Sequence, residues 1–266
     1  MGRRAGIVRA IGALLLVILY VESATPCIGS LGGGDLSGSG TLIFNAPGFV
    51  LIDPGMGGNF SGNILGPAMV IKRGDGLSIF SGGSFSSYTD GTFIEGGTFL
   101  VNNPAGKPFG VGIVQVSAGA TLGGSGGTRG LVTVLSDGIL SPDNGAGSIA
   151  IHGGLDLQAG AVLKMELTGA TPDRVIVDGG IFSSEGAIVR VVSADLPLVA
   201  GKTYTILDWT GTSAASISAD QFTLEGVTGG VLRVPDGAKR LELVVPEPTT
   251  VLAVPVVLLG LRLRKK

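Results

Sequence analysis

Apolar and polar residues alternate in short runs along most of the chain, and each run is closed by Gly, Asn, Asp or Ser. TLIFN from Thr41, LSIF from Leu77, TFLVN from Thr98, GIVQVS from Gly112, LVTVLS from Leu131 and VLKMELTG from Val162 are examples. A period of two in β-branched-rich runs predicts strands, half of whose side chains face a core. None of these runs buries a core alone, so the strands have to be assembled.

The assembly is suggested by a recurring unit of glycine, a small or β-branched residue and an apolar pair. It appears as Gly97-Thr98-Phe99-Leu100, Gly119-Ala120-Thr121-Leu122, Gly138-Ile139-Leu140 and Gly160-Ala161-Val162-Leu163, at spacings of 22, 19 and 22 residues. Repeats near twenty residues point to a solenoid, in which each coil pairs with the coils above and below and one face lines a shared interior. The expected fold is all-β: a right-handed parallel β-helix (β-solenoid). An antiparallel sandwich or barrel is the rival, since it also accepts short strands and turns.

From Asp173 the rhythm changes. DRVIVDGG, GAIVRVVS, GKTYTILDWTG, QFTLEGV and VLRVPDGAKRLELVV are longer and more charged, and they hold the single Trp209. A β-rich C-terminal cap is expected there, because a solenoid has to protect its last open edge. Asp236-Gly237, between Leu232-Arg233-Val234 and Leu241-Glu242-Leu243, predicts a closing hairpin.

Composition agrees with this reading. Forty-eight glycines, 5% aromatic and 14% charged residues in a chain that is 44% hydrophobic describe many short strands with glycine turns, not disorder or long helices. Residues 24–245 carry 11 basic and 18 acidic side chains, a net charge of −7, which argues against nucleic acid as a partner. The one cysteine, Cys27, cannot close an intramolecular disulfide or build a structural zinc site.

Both ends break the pattern. Arg3, Arg4 and Arg9 precede the apolar run Ile11 to Val21, and Val21-Glu22-Ser23-Ala24 offers small residues for cleavage. This reads as an export signal over residues 1–23, cut between Ser23 and Ala24, with a site near Gly29 or an uncleaved anchor as alternatives. Pro26 fits a lipobox around Cys27 poorly. At the other end, VVPEPTTVLAVPVVLLGLRLRKK holds Pro246, Glu247 and Pro248, an apolar span, and the basic residues Arg262, Arg264, Lys265 and Lys266. Three prolines disfavour a core helix, and the span falls short of the ~20 residues of an ordinary anchor.

Catalytic chemistry finds little support. Asp35, Asp53, Asp75, Asp90, Asp137, Asp143 and Asp156 sit mostly beside glycine, as turn residues do. His152 is the only histidine; it is expected to end a strand in IAIHGG, and it argues against His-based metal clusters and Ser-His-Asp catalysis. GGSFSS lacks a nucleophile elbow, and LGGGDLSG is out of register for a calcium-binding nonapeptide. Tyr88, Tyr204 and Trp209 are candidates to stack on sugar rings, with core or cap packing as the competing role. No catalytic, cofactor or metal residue is assigned.

Two resemblances add to this. Gly74 to Asn103, GDGLSIFSGGSFSSYTDGTFIEGGTFLVNN, resembles the autotransporter-associated β-strand repeat of secreted bacterial surface proteins, and Gly58 to Gly82 looks like a preceding copy. That resemblance, covering roughly residues 32–245, implies a parallel β-helix without built-in catalytic residues; the chain ends too early for a translocating barrel. Pro246-Glu247-Pro248 with its apolar span and basic stop resembles the PEP-CTERM sorting signal. It implies transient insertion of a short C-terminal apolar helix into the inner membrane, recognition by an exosortase, and delivery to the surface of a Gram-negative bacterium that makes exopolysaccharide.

The expected organisation is therefore a signal peptide (1–23), a β-helical repeat region (24–172), C-terminal coils and cap (173–245) and a sorting signal (246–266). The expected function is a noncatalytic structural or adhesive surface protein, processed by signal peptidase and exosortase. A polysaccharide-binding or polysaccharide-degrading β-helix is the alternative. No cofactor is expected, and extracellular polysaccharide or other surface proteins are the expected lasting partners.

Overall fold

The computed structural model describes residues 19–21, 29–31, 36–39, 41–53, 58–82, 87–103, 110–142, 147–167, 172–192, 198–214 and 216–247. These form a parallel β-solenoid, with one short 3-10 turn, Ala219–Gln221, as the only helical element among the described residues.

One sheet of nine strands and one of eight run along the solenoid, each taking one strand from successive coils. A four-stranded and a six-stranded sheet cover the remaining flank, the first serving the early coils and the second the later ones. A single coil illustrates the path: Asn63–Gly66 on the third flank, Ala68–Lys72 in the nine-stranded sheet, then Leu77–Phe80 in the eight-stranded sheet. Leu19–Val21, at the end of the expected export signal, pairs in parallel with Thr41–Phe44.

Interior positions stack into ladders. In the nine-stranded sheet Val50, Val70, Thr92, Val114, Val132, Leu155 and Phe182 lie in register, each at most 1% exposed. In the eight-stranded sheet the ladder Phe99, Leu122, Leu140, Leu163 and Val189 contains the apolar residues of the repeated glycine units. Its steps are set by the coil length, which varies. The shortest coil takes 18 residues, from Thr121 to Ile139, and the longest takes 35, from Ala187 to Phe222. Neighbouring aromatic rings pack on one another: Phe60 meets Phe80 edge-on at 5.4 Å and 63°, and Phe80 meets Phe99 in a tilted pair at 4.8 Å and 39°.

Glycine is obligatory where coils touch through the backbone. Gly66 has φ +94°, and a Cβ there would overlap the carbonyl oxygen of Phe44 at 1.9 Å.

Two buried polar residues interrupt the apolar interior. Thr92 stands in the valine ladder, and its hydroxyl is 2.6 Å from that of the fully buried Tyr88. Lys72 stands between Ile52 and Ile94 in the adjacent ladder and is also fully buried. Its ammonium donates to the carbonyls of Arg73 (2.6 Å), Gly74 (2.8 Å) and Gly96 (3.1 Å), using all three protons. Burial pulls its pKa down, against the carboxylates of Asp53 and Asp75.

Past Asp173 the coils continue: Arg174–Val177, Ile181–Ser184 and Ala187–Val192 extend the three flanks in parallel. Closure comes later. Val231–Arg233 and Arg240–Val244 form the antiparallel hairpin expected around Asp236-Gly237, and Arg240–Val244 also pairs antiparallel with Thr203–Asp208. Reversing strand direction ends the repeat that a further parallel coil would extend.

Candidate functional site

The described part of the expected sorting motif lies where the chain leaves the cap. Arg240–Val244 is flanked by strands on both sides, so the exit is held firmly up to its last residue. Val245 extends the hold: its N–H donates to the carbonyl of Lys202 at 2.9 Å, and its carbonyl accepts from Gly201 N–H at 2.8 Å. Pro246 and Glu247 follow, and both are exposed. Gly201, with φ +77°, leaves room for the Glu247 carboxylate, which occupies the place where a Cβ would be. The motif thus begins within two residues of the last strand, on the outside of a completed fold.

The other residues expected to carry processing lie outside the described residues: Ser23, Ala24, Cys27, Pro248, Arg262, Arg264, Lys265 and Lys266. Among the described residues no helix is long and apolar enough to cross a membrane.

The candidate sugar-stacking aromatics are interior. Tyr88, Tyr204 and Trp209 are at most 2% exposed, and Trp209 packs on Phe182 at 5.0 Å. Burial raises the Tyr88 phenol pKa well above its ordinary value, while its bond with Thr92 pulls the other way. A shallow cleft of about 570 Å³ lies beside Trp209, between Ser216–Ala219 and the hairpin loop. The cations on its wall are engaged: Arg233 donates to Glu242 at 2.8 Å and Lys239 to the carbonyl of Thr212 at 2.8 Å.

His152 directly follows the strand Ser148–Ile151, as expected, and its Nδ1 is 2.6 Å from Asp178 Oδ1 on the next coil. No group of three or more His, Cys, Asp or Glu that could hold a metal ion occurs among the described residues.

The aspartates and glutamates instead tie coils together. Asp173, fully buried, accepts from Gly147 N–H at 2.9 Å and from Glu166 N–H at 2.7 Å. Arg73 bonds Glu95 at 2.6 Å, Arg190 bonds Glu225 at 2.9 Å, and Arg174 bonds Asp208. In the cap, Glu242 is 4% exposed and receives both Arg240 (2.6 Å) and Arg233 (2.8 Å). Burial raises its pKa, but the two arginine hydrogen bonds prevail and hold it below the usual carboxylate value. Asp208 behaves likewise: against burial, the Thr210 N–H and Arg174 lower it. Sequence reading missed the ion pairs between coils, Arg73–Glu95, Arg174–Asp208 and Arg190–Glu225, because their partners lie 22 to 35 residues apart across coils of unequal length.

No protein-family model matches the chain, and no curated protein matches it, which leaves its function to the residues and geometry above.

Proposed function

We propose that the chain is an exported, noncatalytic structural or adhesive protein of the bacterial cell surface, sorted through Pro246-Glu247-Pro248 by an exosortase. The observation that carries this is the exit geometry: the motif starts two residues beyond Arg240–Val244 and its first two residues are exposed. A membrane peptidase then reaches the motif without opening the solenoid.

The surrounding chemistry supports the noncatalytic reading. Asp173 and Asp208 are committed to backbone N–H groups or to an arginine of a neighbouring coil, Glu242 is held by two arginines of the cap hairpin, and Tyr88, Tyr204 and Trp209 are packed inside. A right-handed coil follows the sense that nearly all strand–crossover–parallel strand connections take. Cleavage between Ser23 and Ala24 removes Leu19–Val21 and leaves Thr41–Phe44 as the edge of its sheet.

Expression in a host encoding an exosortase, with an internal tag, tests this. Mass spectrometry of the surface-exposed form is expected to find a new C-terminus after Val245 and a new N-terminus near Ala24. A Glu247→Ala variant is expected to accumulate unprocessed in the inner membrane. Surface protein that retains Lys266, or turnover of an acidic polysaccharide lost on replacing one Asp, overturns the reading.

A further inference from the structure

The last strand ends against a bulge. Thr203 and Val244 are the outermost pair of the ladder between Thr203–Asp208 and Arg240–Val244, and beyond them two residues, Gly201 and Lys202, face the single Val245. Gly201 N–H donates to the Val245 carbonyl at 2.8 Å, and Val245 N–H donates to the Lys202 carbonyl at 2.9 Å. This is the bonding of a bulge whose first residue is a left-handed glycine. The same glycine is the third residue of a turn, closed by Lys202 N–H on the Val199 carbonyl at 3.2 Å. Ala200 does not share its positive φ, which makes Val199–Lys202 a type II turn. One four-residue turn thus presents the N–H that takes the Val245 carbonyl.

That carbonyl belongs to the residue after which the tail is proposed to be cut. Hydrolysis there breaks the Val245–Pro246 bond with water as second reactant, leaves a carboxylate on Val245 and gives the proton to the Pro246 nitrogen. As the Val245 carbon becomes tetrahedral, its oxygen has to lie against the peptidase's own donors. In the folded cap it lies against Gly201 instead. The Val245 side chain is held as well, half-buried against the core. Pro246, which has no N–H to continue the pairing, is the first residue free of this hold, and it is exposed.

We infer that the Val199–Lys202 turn is an autoinhibitory clasp on the cleavage site, so that cleavage after Val245 waits until the Gly201–Val245 bond opens. The inference rests on the sorting reading above and adds a step to it. The motif is reached with the solenoid closed, but the bond to be cut is released only by local opening of one bulge, with the coils behind it still wound. Glu247 connects the two events. A Cβ on Gly201 would run into the Glu247 carboxylate, so the acidic residue of the motif lies over the clasp. A peptidase that draws Glu247 into its own site uncovers Gly201 and loosens the bond beside the scissile carbonyl. The clasp thereby favours an enzyme that has engaged the motif over one that has not.

Two substitutions move the clasp in opposite directions. Gly201→Ala strains the left-handed position and pushes a methyl group into Glu247; it is expected to raise the open population about 5- to 30-fold. Ala200→Pro presets the second residue of a type II turn, whose N–H has no backbone acceptor among the described residues, and is expected to lower it about 2- to 5-fold. Pulse-chase of the full-length chain in a host encoding an exosortase is expected to show processing faster in Gly201→Ala and slower in Ala200→Pro by those factors. Gly119→Ala, which places the same strain at φ +73° in open space outside the cap, is expected to leave the rate unchanged. Hydrogen exchange of the Gly201 amide in the purified full-length chain is expected to follow the same order.

A rate indifferent to both variants, or the opposite order, overturns the clasp and leaves the sorting reading standing, as does a mature C-terminus beyond Pro246. A parent Gly201 amide that exchanges as fast as a free peptide also overturns it. A parent chain that is never processed removes the sorting reading and the clasp's role with it. Should Gly201→Ala fail to fold by circular dichroism, Ala200→Pro decides alone, and processing as fast as the parent's refutes the inference.

Discussion

Thr92 occupies a position that valine fills in the coils before and after it, at Val70 and Val114. Its hydroxyl is there for Tyr88, which sits 2.6 Å away with no exposed surface. Replacing Thr92 by Val restores the aliphatic ladder but leaves the phenol without its hydroxyl partner. Tyr88→Phe does the converse. Each single variant is expected to cost about 1–3 kcal/mol, the penalty of removing one hydroxyl from a buried hydrogen bond. The double variant Tyr88→Phe/Thr92→Val removes both hydroxyls of this bond together and keeps the shape, so it is expected to lie within about 1 kcal/mol of the parent. The coupling energy, the two single costs less that of the double, is then about 1–6 kcal/mol of favourable sign. A solenoid opens locally, so the suitable assay is native-state hydrogen exchange of the segment 87–94, read beside a urea titration. Exchange there is expected to accelerate about 5- to 150-fold in each single variant and to return close to parental rates in the double, at tenfold per 1.4 kcal/mol. A double variant as unstable as the sum of the singles refutes the reasoning, because the two hydroxyls are then independent.

Other expectations concern the joints between coils and the cap. Gly66→Ala forces a Cβ into the Phe44 carbonyl and is expected to cost more than about 3 kcal/mol in urea unfolding. Gly119→Ala, at φ +73° with open space around it, is expected to cost only the left-handed strain of about 1–2 kcal/mol. Asp173→Ala removes the acceptor from Gly147 and Glu166 and is expected to cost about 2–4 kcal/mol, with Asn intermediate because it keeps one acceptor oxygen. Glu242 and Asp208 have folded pKa values below their unfolded ones, so their stabilisation is complete above the unfolded carboxylate range and is lost as pH falls through the folded values. Trp209 fluorescence is expected to report a urea midpoint that drops below pH 4, and Glu242→Gln is expected to flatten that drop.

The ladder Phe99, Leu122, Leu140 and Leu163 was legible because each rung sits just after a glycine turn that recurs near every twenty residues. The closing hairpin was legible for a similar local reason, the Asp236-Gly237 turn between two alternating runs. Lys72 was not. Its alternation with Ala68 and Val70 points inward, but a lysine at the end of a run reads as a solvated terminus until the three carbonyls that receive it are seen. The inter-coil pairs were hidden by coil length. His152 and Asp178 are 26 residues apart, and nothing local states that a coil of this size brings them level. Even the change at Asp173 proved to be longer parallel coils first and an antiparallel cap only afterwards.

The position of Arg240–Val244 between two antiparallel neighbours has a mechanical consequence. Val245 continues the strand's pairing with Gly201 and Lys202, so tension applied through Pro246 along the strand direction loads both hydrogen-bond ladders in shear, many bonds at once, instead of peeling them singly. If the tail is held at a membrane, as proposed, the pull falls on the strand best placed to resist it, and the coils behind it stay wound while the tail is under force.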